Sequence, residues 1–479
     1  MVKLKDYNSR YVYAMCAIAA LGGVMFGYST GVIAGAVDPI QQNFHLSSAQ
    51  IGWVVSSIFI GCFFGSLISG RVAEKSGRKL ALLIASVLYI VSSLGSAFAD
   101  SFVMFSAARI LCGVGVGMAS AVAPMFMSEI APAEIRGKAS GLFNLSVVGS
   151  QTVVYAVNFL IAWGVTEVWL NDIGWRWMMG AQLVPAGLMF ILTLILPESP
   201  LWNLNNGRPE KALAVYKKIY PNLNEEEANW IFQEKTAMKG DDSQPVASGK
   251  RLANPVMKYI MIIGCTIAVL QQITGANVMM YYAPLVLQTA ETTKDMVFFQ
   301  TIFIGLFNAI GAFIGMVLFD HFGRLPMMKI GTWGCIACLL LVSYGMYTGD
   351  TGYITVVSVV TFMVFFAIGW GAGTWVLVSE IFPAQIRGIG MGISVSMMWV
   401  FNFIIMQIFP LINQNDYLQS HFHGAFPMWI FVGFNLFCLW FLTKFVPETK
   451  GLSLEEIERT MASRLEAKTK RDSKVVTSH

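Results

Sequence analysis

The sequence predicts an all-α integral membrane protein with twelve transmembrane helices in two related halves. Of its 479 residues, 56% are apolar and 13% are charged, and the mean hydropathy is +0.61. Soluble domains are about 45–50% apolar and about 25% charged, so this composition indicates a chain embedded in lipid. Long apolar runs recur along almost the whole length, and a ten-residue peptide occurs twice.

The apolar runs define the predicted spans. Each is close to or above the roughly 20 residues that a helix needs to cross about 30 Å of hydrocarbon. Spans one to twelve are predicted, in order, at residues 12–36, 51–70, 80–98, 103–127, 139–162, 177–196, 257–287, 298–319, 327–347, 354–378, 389–411 and 425–446. Span one is longer than the apolar region of a cleavable signal peptide, so we expect it to be retained.

The repeated peptide relates the two halves of the chain. The run SEIAPAEIRG at 128–137 returns 251 residues later as SEIFPAQIRG at 379–388, with eight of ten positions identical. Residues 74–78 resemble residues 320–324, and residues 197–199 resemble residues 447–449, at offsets of 246 and 250 residues. In a membrane protein, internal duplication of this kind is typical of alternating-access transporters.

The positions of Lys and Arg predict the orientation. The gaps after spans two, four, eight and ten hold Arg71, Lys75, Arg78, Lys79, Arg136, Lys138, Arg324, Lys329 and Arg387. The central segment adds nine basic residues up to Lys258, whereas Lys294 is the clear exception in the other gaps. We therefore expect a protein of the cell membrane with both termini in the cytoplasm. The basic residues of the cytoplasmic face account for the net charge of +4. The charge therefore does not indicate nucleic-acid binding, and we expect no nucleic-acid partner.

The same features predict four segments. They are a first six-span half at 1–197, a cytoplasmic linker at 198–255, a second six-span half at 256–449 and a cytoplasmic tail at 450–479. Helical spacing predicts short linker helices at Pro209–Tyr220 and Asn224–Lys239. The tail predicts a helix at Ser453–Glu466, with Ser453 as its N-cap and Glu456 completing a capping box.

Little in the sequence points to an enzyme. All seven cysteines lie within predicted spans, so Cys335-x-x-Cys338 is interpreted as packing rather than as a redox motif. The sequence shows no nucleophile triad, phosphate loop or metal-ligand cluster. We therefore expect no cofactor, no metal and no enzymatic activity, and we expect transport to be driven by gradients.

Several motifs together resemble the sugar porter family of the major facilitator superfamily. They lie at 70–79, 197–200, 271–277, 320–324 and 447–451, and the resemblance covers about residues 12–460. It implies two six-helix bundles around a central site for a monosaccharide such as xylose, glucose or arabinose. We expect the protein to work as a monomer in the lipid bilayer.

Polar side chains within apolar spans are the candidate sugar ligands. An amide carries both a donor and an acceptor, which suits a sugar hydroxyl, and a Trp ring suits the apolar face of a sugar. The resemblance implies that Gln271, Gln272, Asn277, Tyr281, Asn308 and Trp375 bind sugar. The predicted site also includes Asn402, Asn144, Gln151 and Phe26. The alternative for any one polar residue is a hydrogen bond between helices.

Two positions depart from the pattern of the family's proton-coupled pentose carriers. Those members have Gln at the positions of Asn144 and Met398. A buried polar group without a partner costs about 1–3 kcal/mol, so we expect these changes to alter hydroxyl recognition. The resemblance therefore does not specify which sugar is carried.

A second departure concerns energy coupling. Proton-coupled members have Asp at the position of Ser29, paired with the Arg that matches Arg109, and the pentose carriers have Glu at the position of Gln182. Ser and Gln do not titrate, so the sequence predicts a uniporter. Arg109 should then meet neutral acceptors on Ser29 or Gln182, backbone carbonyls, a water or an anion. The alternative is a proton symporter coupled through another carboxylate, for which Glu129 and Glu380 are the candidates; a more remote one is a non-transporting sugar sensor.

The repeated charged motifs predict ion pairs at one membrane face. Glu129 and Glu380 end spans four and ten, while Arg78 and Arg324 follow spans two and eight. Paired carboxylates and guanidiniums would favour the state in which these helix ends are packed together. The predicted gating set is Glu74, Arg78, Glu129, Arg136, Asp320, Arg324, Glu380 and Arg387. The alternative is that these charges only anchor the topology.

Overall fold

The protein is described by a computed structural model. It describes residues 7–132, 134–224, 227, 254–287, 293–349, 353–383, 386–452 and 455–465. Almost all of the predicted linker helix at 224–239 lies outside these residues, and so does the predicted N-cap Ser453. Residues 455–465 of the tail are helical.

Twelve helical segments in the described ranges are long and apolar enough to cross a membrane, which confirms the predicted number. They are Ser9–Phe44, Ser48–Ser76, Arg78–Ala97, Phe102–Ile130, Arg136–Ala162, Glu167–Ile195, Pro255–Tyr281, Lys294–Phe319, Arg324–Thr348, Tyr353–Ile381, Ile389–Asn413 and Phe426–Phe445. Spans one and six extend further than predicted. Their additional turns carry polar residues such as Asp38 and Asp172, which a search for apolar runs excludes.

Two short helices follow span six. They are Pro200–Asn205 and Pro209–Ile219, the second one residue shorter than predicted. The indole nitrogen of Trp202 donates to the backbone carbonyl of Glu74 at 2.7 Å, and the Asn8 amide donates to the carbonyl of Ile219 at 2.7 Å. These bonds attach both short helices to the ends of spans two and one.

Internal contacts divide the chain into two compact units. The first comprises Met1–Gln244, Met280–Leu306 and Met406–Pro410. The second comprises Pro245–Met279, Phe307–Ile405 and Leu411–His479. The four-segment division predicted from the sequence stays a prediction.

Glycines allow spans two and four of the first unit to pack closely. A Cβ atom added at Gly61 would lie 2.0 Å from the backbone oxygen of Ile110, and one added at Gly113 would lie 1.9 Å from the backbone oxygen of Ile58. Helices in membranes use such small residues to bring their backbones together. The packing of this pair of spans therefore depends on the absence of side chains at these positions.

Span seven, which the sequence predicts as one continuous helix, is broken. It consists of Pro255–Ile273, Ala276–Tyr281 and Ala283–Leu287. Gly275 has a φ of 95°, which favours glycine, and the amide of Asn435 donates to the carbonyl of Thr274 at 2.9 Å. The prediction was wrong here because hydropathy does not detect a break whose freed carbonyl is satisfied by a distant residue.

Candidate functional site

Three predicted sugar ligands form a chain of amides at the break in span seven, within the second unit. Asn277 Nδ2 donates to Gln272 Oε1 at 2.6 Å, and Gln272 Nε2 donates to Gln271 Oε1 at 3.2 Å. Gln271 Nε2 donates in turn to the backbone oxygen of Trp370 at 3.0 Å. Asn277 is half-buried, whereas both glutamines are buried. The chain therefore leads from a partly accessible amide to a buried backbone carbonyl.

The acceptor at the end of this chain lies in an irregular part of span ten. Residues Ala367–Gly371 are π-helical, which frees carbonyls from the regular α-helical pattern. The indole nitrogen of Trp370 donates to Thr332 Oγ1 at 2.9 Å, so the Trp370 side chain is itself held in place. The π-helical segment thus supplies a positioned acceptor for Gln271.

The hydrogen bonds of the amide chain fix which groups of Asn277 remain for a further hydrogen bond. Each bond in it fixes the orientation of an amide, since the donor and acceptor ends of Gln271 and Gln272 are assigned by their partners. The bond to Gln272 uses one N–H of Asn277. Its carbonyl oxygen is an acceptor and its second N–H a donor, the pair that a hydroxyl group requires.

The remaining candidates in the second unit differ in their surroundings. Asn308 and Asn402 are buried, and Oδ1 of Asn402 has no hydrogen-bond partner in the described part of the chain. The Trp375 side chain is 39% exposed, in contrast to the fully buried Trp370. Trp375 therefore presents an open ring surface, as stacking on a sugar would require.

The first unit holds the other four predicted sugar ligands. Gln151 is buried and its amide donates to Met280 Sδ at 3.7 Å. Tyr281 is buried, with its ring 5.9 Å from that of Phe59. Asn144 and Phe26 are half-buried.

The predicted coupling residues Ser29, Arg109 and Gln182 lie together in the first unit. Arg109 Nη1 donates to the backbone oxygen of Ser29 at 2.8 Å, and Gln182 Nε2 donates to Ser29 Oγ at 3.0 Å. Gln182 Nε2 also lies 3.5 Å from Cys112 Sγ. All four residues are buried. Arg109 thus meets a neutral backbone acceptor, and no described hydrogen bond or ion pair joins it to a carboxylate.

The predicted ion pair between spans three and four is present. Arg78 Nη2 donates to Glu129 Oε1 at 2.7 Å, and Arg78 Nε donates to Glu129 Oε2 at 3.0 Å. Both side chains are less than 10% exposed. A two-pronged pair that is shielded from water is stronger than an exposed one.

The second unit repeats this arrangement. Arg324 Nη2 donates to Glu380 Oε1 at 2.8 Å, and Arg324 Nε donates to Glu380 Oε2 at 3.2 Å. Thr449 Oγ1 also donates to Glu380. These side chains are 17% and 27% exposed, so water reaches this pair more than the first.

Glu198 and Glu448 belong to the repeated motifs but are not among the predicted site residues, and each binds the arginine of one ion pair. Glu198 accepts from the backbone amide of Arg78 at 2.8 Å, and Glu448 accepts from that of Arg324 at 3.0 Å. Each amide begins a helix, where a carboxylate is favoured by the unpaired N–H groups and the helix dipole. The matching Pro-Glu-Ser and Pro-Glu-Thr sequences were the signal that could have identified them.

The other predicted gating residues are placed differently. The Glu74 side chain is exposed, and Arg387 Nε donates to the backbone oxygen of Phe382 at 3.2 Å. Arg136 lines a cavity of about 270 Å³ with Ser128, Glu129, Leu201 and Tyr216. Burial raises the pKa of the Tyr220 phenol, the carboxylate of Glu134 raises it further, and the Arg136 guanidinium opposes the rise. The side chain of Asp320 lies outside the described residues.

Glu198→Gln is expected to lower the stability of the protein by about 1–2 kcal/mol, because a neutral amide binds the helix amides less strongly than a carboxylate. Thermal unfolding in detergent would measure this as a fall in Tm of about 2–8 °C. Glu210→Gln is the matched control, since Glu210 is exposed in the first turn of another helix. Equal Tm values for the two variants would contradict the capping role.

Comparison with known proteins identifies the family. A family model described as "Sugar (and other) transporter" matches residues 15–461. The D-xylose-proton symporter of Escherichia coli K12 is 34% identical over 485 residues, which cover 95% of this chain and 96% of the relative. The arabinose-proton symporter of Bacillus subtilis is 30% identical over 460 residues, with coverage of 95% and 96%.

A solved structure gives the same result. The inward-open structure of the xylose transporter XylE from E. coli matches with a TM-score of 0.82 at 32% identity, covering 94% of this chain and 100% of that one. This confirms the fold expected from the family resemblance. The chain belongs to the sugar porter family of the major facilitator superfamily, and it is therefore a membrane transporter rather than an enzyme.

Proposed function

We propose that this protein carries a monosaccharide, a pentose or hexose such as xylose, arabinose or glucose, across a cell membrane by alternating access. The observation that carries this proposal is the amide chain of Asn277, Gln272 and Gln271 at the break in span seven. In transporters built from internal repeats, substrate sites are typically formed by broken helices. The named relatives, which transport xylose and arabinose, support a sugar of this size.

Proton symport is the first candidate for the mode of transport. It was the alternative in the sequence analysis, and the names of the relatives favour it, because both the D-xylose and the arabinose carrier are proton symporters. Symport requires a group in the membrane that binds and releases a proton during the cycle. Ser29 and Gln182 cannot be that group.

Asp38 is the described carboxylate that best meets this requirement. It lies in the helix Ile33–Phe44 of span one and is only partly exposed. It follows Ser29 by nine residues, or about 13 Å along a helix axis. Glu129 and Glu380, the candidates of the sequence analysis, are held in ion pairs with Arg78 and Arg324. We therefore assign the coupling proton in this mode to Asp38.

Uniport is the second candidate, and it is favoured by the neutral residues around Arg109. Ser29 and Gln182 hydrogen-bond each other beside Arg109, at the positions where proton-coupled members are expected to carry carboxylates. In this mode the sugar would equilibrate without being concentrated. Nothing in the names of the relatives supports this mode.

Transport by purified protein in vesicles would test the proposal. With an imposed proton gradient, we expect labelled xylose to accumulate above its equilibrium level. Asp38→Asn is expected to abolish accumulation while leaving exchange of labelled for unlabelled sugar, because exchange needs no net proton movement. Asp416→Asn, at an exposed Asp, is the matched control and should accumulate sugar like the parent.

The other outcomes are equally informative. Equilibration without accumulation in the parent protein would favour uniport over symport. Accumulation that survives Asp38→Asn would exclude Asp38 as the coupling group. Failure of xylose, arabinose and glucose to enter or exchange would contradict monosaccharide transport itself.

The orientation and the gating role are part of the same proposal. Lys and Arg in the gaps after spans two, four, six, eight and ten support a cytoplasmic location for both termini. The Arg78–Glu129 and Arg324–Glu380 pairs would then lie at the cytoplasmic ends of the spans. We assign to these pairs the stabilisation of the state in which those ends are closed.

A further inference from the structure

Arg109, which is buried in the first unit, has hydrogen-bond donors without a described partner. Its side chain is 2% exposed, and only Nη1 of its donors has a described partner, the backbone oxygen of Ser29 at 2.8 Å. Nε and Nη2 are buried without a hydrogen-bond partner among the described residues. A guanidinium keeps its charge in a protein and presents its donors in a fixed plane. Two of these donors are therefore available to a ligand.

The positive charge of Arg109 also has no bonded counter-charge among the described residues. Its described hydrogen bond is to a backbone oxygen, and no described ion pair or hydrogen bond joins it to a carboxylate. A buried charge normally requires an opposite charge nearby.

Further donors without a described partner lie in spans three and four. The hydroxyl of Ser106, one helical turn before Arg109 in span four, is buried without a partner in the described part of the chain, and so is the hydroxyl of Tyr89. The first unit therefore holds further buried donors that lack a described acceptor.

We propose that Arg109 is the centre of a binding site for a small monovalent anion, chloride in the cell, held by the Nε and Nη2 donors. The bound anion supplies the negative charge that a carboxylate at position 29 would otherwise supply. A monatomic anion suits the site because its neighbours Ser29, Cys112 and Gln182 are tightly buried. The site belongs to the first unit and shares no residue with the amide chain of span seven. The inference does not depend on which sugar is carried or how transport is driven.

Binding is tested with purified protein in detergent, without sugar. At constant pH and ionic strength, the Tm in chloride is expected to be about 2 °C or more above the Tm in gluconate. The reason is that a ligand that binds only the folded state stabilises it. Bromide should act like chloride.

Three variants locate the site. Ser29→Asp places a carboxylate beside Arg109 and is expected to abolish the response of Tm to chloride. Gln182→Glu, which puts the charge on the hydrogen-bond partner of Ser29, should have the same effect if Ser29→Asp does not fold. Ser420→Asp adds the same charge at an exposed position and should leave the response unchanged.

Two results would overturn the proposal. One is an equal Tm in chloride and gluconate for the parent protein. The other is a chloride response that persists in the folded Ser29→Asp or Gln182→Glu variant, since the anion would then bind elsewhere. Because no sugar is present, either failure leaves the proposed transport function untouched.

Discussion

Gln272→Ala is expected to weaken sugar binding by about 10- to 100-fold. Gln272 is the middle of the amide chain, so its removal takes the acceptor from Asn277 and the donor from Gln271. Asn277 is then free to rotate, and Gln271 Oε1 is left buried without that donor. Each loss of a buried hydrogen bond costs about 1–3 kcal/mol. If the amide chain orients the sugar, this free-energy cost destabilises the sugar-bound state and therefore raises the Kd.

Titration calorimetry or competition for labelled sugar would measure the Kd of this variant. Gln419→Ala removes an amide from an exposed position of the second unit and is expected to keep the parent Kd. A Tm measurement separates the two roles of Gln272. If Gln272→Ala lowered Tm but left the Kd unchanged, the amide chain would be a structural hydrogen-bond network and not a sugar site.

Gly113→Ala is expected to destabilise the first unit by about 3 kcal/mol or more. The added Cβ atom would lie 1.9 Å from the backbone oxygen of Ile58 and 2.9 Å from the backbone nitrogen of Cys62. Both contacts are with backbone, so no side-chain rotation can relieve them. Spans two and four must then move apart.

The expected result is a fall in Tm of about 6–12 °C, or failure to fold. Gly149→Ala is the matched control, because Gly149 is also helical and no atom lies within 4 Å of the added Cβ. Alanine is the better helix former by about 1 kcal/mol, so this control should be as stable as the parent or more stable. Similar Tm values for both variants would contradict the close packing of the two spans.

Local patterns explain which features could be predicted. The number of spans follows from apolar runs, since each helix must satisfy its own backbone in lipid. The Arg78–Glu129 and Arg324–Glu380 pairs could be anticipated because the duplication places the same charges at the same helix ends twice. The grouping of Ser29, Arg109 and Gln182 was suggested by family resemblance and is matched by their hydrogen bonds.

Other features depend on contacts between distant parts of the chain. The break at Gly275 is supported by Asn435, 160 residues later. The helix beginning at Arg78 is capped by Glu198 from beyond span six. The proposed role of Asp38 could not be predicted from hydropathy, because Asp38 lies past the apolar run that predicted span one, in turns that the structure shows to be helical.

The sequence by itself determined that this protein spans the membrane twelve times, that its halves are duplicated, and that it belongs among sugar transporters. Hydropathy, charge position and motif are local properties, so they can be read without the fold. Only the tertiary structure decided where span seven breaks, which amides are joined into a chain, and that Arg109 keeps two donors unpaired. Those features arise from the pairing of buried polar groups, and their partners lie far apart in the chain.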